Sequence, residues 1–161
     1  MFKVMITGNR PFKLNKDKAL IAKGKMFDYL QYLKSIYGDE LLVLTGMALG
    51  PDQWAAEICM DLKIKFDAYL PFQDQDSRWT WQQKQYYEKL LGNANRVLIA
   101  EMNAPIGGAA YLKRNSMMVN DCNYAIAVFN GDYQSGTGST VRKLERALKP
   151  FINVYPISEE V

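Results

Sequence analysis

Residues 130–140 read NGDYQSGTGST, with three glycines, two serines and two threonines in eleven positions. An apolar run, YAIAVF, leads in, and a helix-like pattern, VRKLERAL, leads out. Glycine lets a backbone turn and come close to a ligand. Hydroxyls add donors, and a helix start offers free N–H groups and the positive end of its dipole. Asn130, Gly131, Ser135 and Gly136, with Thr137, Gly138, Ser139 and Thr140, are therefore candidates for a metal-free phosphate cradle. The plain alternative is a strand-to-helix turn with a Ser or Thr cap. The segment fits neither GxGxxG nor GxxxxGK[ST].

Similar chemistry recurs after other apolar runs. TGMALGPDQWAAE (45–57) offers Gly46, Ala48 and Gly50 around a tight loop. In that loop Asp52 reads either as a helix N-terminal acid or as an acceptor for a ribose or base, and Gln53 follows the same logic. TGNRPF (7–12) offers Gly8, Asn9 and Arg10. Arg10, Arg78 and Arg114 come from three separate segments, Arg114 next to Asn115, and a guanidinium is a fork-shaped donor for phosphate or carboxylate. Whether the three meet is not decided by the sequence. Phe72 and Trp79 can face a base or simply cover the sheet edge. Trp81, Tyr86 and Tyr87 can serve an interface or the core.

Composition removes several chemistries. The sequence has no histidine, so a zinc site and a Ser-His or Cys-His nucleophile are not expected. Its two cysteines, Cys59 and Cys122, lie in no CxxC and read as buried free thiols, which suits a reducing cytoplasm. Net charge is +3, from 20 basic and 17 acidic residues, which permits an anionic ligand without the strong basic footprint of most nucleic-acid binders. No stretch reads as a signal peptide or a membrane span, so a cytoplasmic protein with no membrane partner is expected. No metal and no cofactor is expected.

The elements that must position these residues alternate. Apolar strands are expected at 2–7, 41–45, 65–70, 96–100, 124–129 and 151–156. Amphipathic helices are expected at 17–36, 52–63, 80–92, 109–122 and 139–149. The pattern implies a Rossmann-like, three-layer α/β/α sandwich with a mostly parallel sheet of about six strands, folded as one domain over 1–161. Right-handed crossovers place every strand's C-terminal end on one edge, where such folds bind ligands near a switch in strand order. The Gly-, Asn-, Arg- and hydroxyl-rich segments all fall on that edge.

Together these segments resemble YpsA-like proteins of the SLOG superfamily. TGNRPF is similar to the TG[HY]RP opening, and TGMALGPDQWAAE to the glycine-rich loop after the second strand. PFQDQDSRW resembles P-F-x-x-Q-x-x-x-W. LKRNSMMVNDCNYAIAVFNGD and SGTGSTVRKLERA resemble the family's K-R-N helix with its following strand and its GGTxNTVRYA segment. The resemblance runs in order through nearly the whole chain. It implies a Rossmann-like fold with a nucleotide-type or nucleic-acid ligand at the strand C-termini, in a group of Firmicutes and phage proteins, and it allows a homo-oligomer.

The superfamily also includes the LOG phosphoribohydrolases, which carry a catalytic glutamate in GTxxE beside the phosphate loop. Matching Gly136-Thr137 to GT puts Thr140 at the glutamate position, and matching Gly138-Ser139 puts Arg142 there. Neither is acidic, and Glu145 lies about a turn deeper. Glu57, Glu101, Asp121 and Asp132 are possible substitutes. The expected partner is therefore a nucleotide or NAD-derived small molecule that is sensed or sequestered. The alternatives are an N-glycosidase acting on nucleoside monophosphates and a DprA-like single-strand nucleic-acid binder.

Overall fold

The computed structural model describes residues 1–103 and 107–157. Six strands form one parallel sheet: β1 (Phe2–Gly8), β2 (Leu41–Thr45), β3 (Lys65–Leu70), β4 (Arg96–Ile99), β5 (Tyr124–Val128) and β6 (Phe151–Asn153). Their order is β4-β3-β2-β1-β5-β6. The chain steps outward from β1 to β4, then returns to β1's other side for β5 and β6. The switch in strand order therefore lies between β1 and β5, the point at which folds of this kind hold their ligands.

Five helices cover the sheet: α1 (Lys16–Tyr37), α2 (Pro51–Leu62), α3 (Trp81–Leu91), α4 (Gly108–Asp121) and α5 (Gly136–Arg146). Strand residues alternate between the two layers, as the period of two requires. Val4, Ile6, Val43, Phe66 and Ile126 pack with Met26 and Leu30 of α1, Ala55 and Cys59 of α2, and Leu90 of α3. Met5, Leu44, Tyr69 and Ala125 pack on the other face with Met118 and Val119 of α4 and Leu144 of α5. Among the described residues no helix is long and apolar enough to cross a membrane.

The expected strands and helices are all present, with two informative shifts. β6 stops at Asn153, whose side chain turns back to pair with both backbone groups of Phe129. α5 begins at Gly136, three residues before the expected start, because Ser135 caps it: Ser135 Oγ accepts from the Gly138 N–H at 3.0 Å. Gly136–Thr140 is thus helical first turn rather than loop. Gly138 has a steric reason to be glycine. A Cβ there would lie 2.5 Å from Tyr133 Cα and 2.6 Å from the Asp132 carbonyl oxygen.

The sheet interior carries one charge that the apolar strand pattern does not announce. Asp67 of β3 is fully buried and accepts from Arg96 Nη2 at 3.1 Å and Asn95 Nδ2 at 3.1 Å. Cys59 and Cys122 are buried free thiols, and burial raises the pKa of both. Tyr87 is buried too, its ring 5.0 Å from Trp79 in an edge contact, so of the three candidate interface aromatics only Trp81 and Tyr86 reach solvent.

Candidate ligand site at the strand switch

A cavity of about 250 Å³ opens at the C-terminal ends of β1 and β5. Its first wall is the end of β1, Gly8 to Arg10. Its second is the start of α5, Ser135 to Thr137. Its floor is Ala48 from the β2–α2 loop and Asp52 from the first turn of α2, with Arg114 and Asn115 from α4.

Asn9 ties the first two walls together. Its backbone N–H donates to the Val128 carbonyl at 3.0 Å. Its Oδ1 accepts from the Asn130 N–H at 2.8 Å, and its Nδ2 donates to Ser135 Oγ at 3.3 Å. With 2% exposure, Asn9 is a structural tether as much as a lining residue. The Ser135 hydroxyl donates to the Asp132 carbonyl at 2.6 Å while accepting from Gly138. Gly136 and Thr137, in the first turn of α5 where backbone N–H groups have no intrahelical partner, also line the cavity. Ser135→Ala is expected to cost about 1 kcal/mol by removing the cap, and to leave the Asn9 amide without its partner. Urea denaturation would read this as a lower midpoint with an unchanged slope.

On the floor, Arg114 is 4% exposed. Its Nε donates to Asn115 Oδ1 at 2.8 Å, and its Nη1 donates to the carbonyls of Gly46 at 2.8 Å and Tyr69 at 3.1 Å. Among the described residues its Nη2 has no partner. Asp52, 7% exposed, accepts from the Ala48 N–H through Oδ2 at 3.2 Å, and its Oδ1 has no partner among the described residues. Burial raises the Asp52 carboxyl above its ordinary value, against the pull of Arg114, Arg10 and the Ala48 N–H. Burial lowers the Arg114 guanidinium, against the attraction of Asp52. The two groups attract each other across a desolvated floor without a hydrogen bond or ion pair between them.

The candidate residues divide by location. Gly8, Asn9, Arg10, Ala48 and Asp52 line the cavity, as do Arg114, Asn115 and Ser135–Thr137. Others shape it from behind. Gly46 lends its carbonyl to Arg114 and to Gln75 Nε2. Gly50 faces Pro11. Gln53 Nε2 donates to the carbonyl of Met47, a buried residue held at φ 61°. Asn130 Nδ2 donates to the Lys13 carbonyl, and Gly131 turns beside it. Gly138, Ser139 and Thr140 lie within α5, away from the cavity, and Thr140 Oγ1 donates to the Gly136 carbonyl at 3.2 Å.

Arg10 and Arg114 meet; Arg78 does not join them. Arg10 Cζ lies 5.6 Å and Arg114 Cζ 5.5 Å from the centroid of the Tyr111 ring. Arg78 is exposed, because its neighbours Gln75 and Trp79 turn inward to Tyr87. Phe72 sits behind the cavity, edge-on to Tyr111 at 5.5 Å. Sequence reasoning missed Thr7, Lys13, Tyr111 and the apolar liners Ile6 and Met118. Tyr111 lies one helical turn before Asn115 and three residues before Arg114 on α4, a spacing that does place them on one face.

None of the substitute acids lines the cavity. Glu57 pairs with Lys23, Glu101 pairs with Lys113, and Asp121 accepts from the Tyr69 hydroxyl. Asp132 accepts from the Gln134 N–H. Thr140 is spent inside the helix, and Arg142 lies over the Tyr133 ring at 4.6 Å. Asp52 is the one carboxylate lining the cavity among the described residues.

A parallel sheet of this strand order, with loops converging at the β1/β5 switch, defines a Rossmann-like α/β fold. The chain belongs to the YspA SLOG family, whose model matches residues 4–156. It is similar to a UPF0398 protein of Bacillus pumilus, 24% identical over 157 residues that cover 88% of this chain and 81% of that one. Its fold is shared with DNA processing protein A of Streptococcus pneumoniae, at TM-score 0.70 and 20% identity. That match covers 94% of this chain but only 49% of the pneumococcal one, so this chain spans about half its length. The molybdenum cofactor carrier protein of Chlamydomonas reinhardtii shares the fold at TM-score 0.60 and 12% identity, over 93% of this chain and 74% of that one.

Proposed function

We propose that the protein binds a nucleotide or nucleotide-derived small molecule at the strand switch and holds it without cleaving it. The observation that carries this reading is the meeting of the α5 N-terminus with Arg10, Lys13 and Arg114 around one cavity. Backbone N–H groups, a helix dipole and guanidinium donors are what a phosphate needs, and no metal is required. A volume of about 250 Å³ is just below the roughly 300–1,000 Å³ of drug-sized ligand sites. It suits a phosphate and its sugar better than a nucleic-acid strand. The fold itself serves a DNA-processing protein and a molybdenum-cofactor carrier among its neighbours, so the choice rests on the cavity.

Holding is favoured over cutting because the positions expected for the glutamate carry Thr140 and Arg142. The remaining acid, Asp52, lies in α2, away from both of those registers in the chain. The test is thermal unfolding against nucleoside monophosphates, NAD and ADP-ribose, with base release followed by chromatography in the same samples. A ligand at about 100 times its Kd adds about 2.7 kcal/mol, or roughly 5–11 °C in the midpoint for a chain of this size. The expected result is such a shift with intact ligand. Free base would make the protein a hydrolase. No shift, with salt-steep binding of single-stranded DNA, would move it to nucleic acid.

A further inference from the structure

The cavity floor specifies more than an anion. Asp52 Oδ1 only accepts, and Arg114 Nη2 only donates. Each belongs to a side chain more than nine-tenths buried, each lacks a partner among the described residues, and both side chains line the same cavity. They are close neighbours. A Cβ on Gly46 would lie 2.7 Å from Arg114 Cζ and 2.9 Å from Asp52 Oδ2. Asn115 adds a third group: its Oδ1 is taken by Arg114 Nε, which leaves its Nδ2 to donate.

A ligand group must therefore offer a donor to Asp52 and, beside it, acceptors to Arg114 and Asn115. A phosphate dianion offers acceptors only and would meet the Asp52 carboxylate as a like charge. Two vicinal hydroxyls meet the demand, because each donates and accepts at once. A base edge also alternates donors and acceptors, but the floor gives a base no free ring to stack on. Tyr111 is the one aromatic lining the cavity among the described residues. Its ring is already met by the guanidiniums of Arg10 and Arg114 and by the edge of Phe72.

We propose that the ligand is a phosphorylated ribose, free or within a ribonucleotide, whose 2,3-diol is read by Asp52 Oδ1, Arg114 Nη2 and Asn115 Nδ2. This rests on the phosphate reading above and adds the sugar to it. The phosphate sits against the head of α5, the diol lies on the floor, and any base projects toward the cavity mouth. The protein is then selective for ribonucleotides over deoxyribonucleotides and largely indifferent to the base.

Calorimetric titration with matched pairs tests this. The probes are ribose 5-phosphate against 2-deoxyribose 5-phosphate, and AMP against its 2′-deoxy and 3′-deoxy forms, with GMP, CMP and inorganic phosphate alongside. A hydroxyl bonded to a buried charge is expected to be worth about 10–100-fold in Kd. Each deoxy form should lose that much, while AMP, GMP and CMP should agree within a few-fold. In Asp52→Asn the ribo/deoxy ratio should shrink to a few-fold with phosphate binding retained. Equal binding of ribo and deoxy forms, or a preference set by the base, overturns the diol and leaves the phosphate reading standing. Failure of every phosphorylated probe to bind overturns both. The wild-type comparison decides the matter even if Asp52→Asn does not fold.

Discussion

Gly46→Ala is expected to weaken ligand binding by about 30-fold or more and to lower stability by about 3 kcal/mol, the upper end of overpacking costs. For a chain of this size that is roughly 6–12 °C in Tm. The cost comes from space and not from backbone conformation, because Gly46 is not among the residues with positive φ. The new methyl would occupy the place that the Arg114 guanidinium and the Asp52 carboxylate now share, 2.7 Å from Arg114 Cζ and 2.9 Å from Asp52 Oδ2. Neither neighbour can yield cheaply. Arg114 is fixed by bonds to Asn115 Oδ1 and to the carbonyls of Gly46 and Tyr69. Asp52 is fixed by the Ala48 N–H, and its backbone carbonyl accepts from Thr45 Oγ1 at 2.7 Å. Displacing a buried charged donor costs about 2–5 kcal/mol of binding, which is about 30-fold or more in Kd. Thermal unfolding with and without ribose 5-phosphate reads both effects. An alanine variant with wild-type Tm and an intact ligand shift would show that the floor is looser than the structure describes.

Arg114→Met is expected to cost about 2–4 kcal/mol, because it leaves Asn115 Oδ1 and the Tyr69 carbonyl without their donor and removes the attraction that offsets the burial of Asp52. The loss should depend on pH in a definite direction. Asp52 has a folded-state pKa above its ordinary value of 3.8, so the folded protein keeps a proton that the unfolded chain has already released. Stability contributed by this group is therefore greatest in acid. It falls as pH rises from about 4 through the raised value, and is flat beyond it. Without Arg114 the strongest attraction holding the carboxyl down is gone, and the decline should become deeper and reach a higher pH. Asp52→Asn in the Arg114→Met background should flatten the profile and recover part of the loss. Urea denaturation at several pH values measures it. A loss of the same size at every pH would show that the two groups are not electrostatically coupled.

Much of the fold was legible because its signals are local. A strand buried on both faces reads as a short apolar run, and a covering helix repeats its apolar residues at helical spacing. The runs LLVLT and YAIAV and the helix face of Met26, Leu30 and Leu33 follow from neighbours within a few residues. The start of α5 was misjudged for a related reason. Two glycines in GTGST argue against helix by propensity, whereas the Ser135 cap and the tight contact at Gly138 decide for it. Asp67 was invisible for a different reason. A buried carboxylate inside a strand needs a partner, and Arg96 lies far along the chain, on β4.

The sequence by itself determined the class of the fold, the polar edge of the sheet, and the absence of an acid at the two glutamate registers. All three depend on residue type and spacing along one stretch of chain. Only the tertiary structure decided which of those polar residues share a site. With the order β4-β3-β2-β1-β5-β6, the loops after β1, β2 and β5 are neighbours across the switch, and α4 lays Tyr111, Arg114 and Asn115 against them. The loop after β3 starts two strands from β1, so Arg78 stays in solvent while Arg10 and Arg114 meet. Strand order is set by how whole helices and strands bury one another, and that is a property of long-range packing which no local stretch of sequence carries.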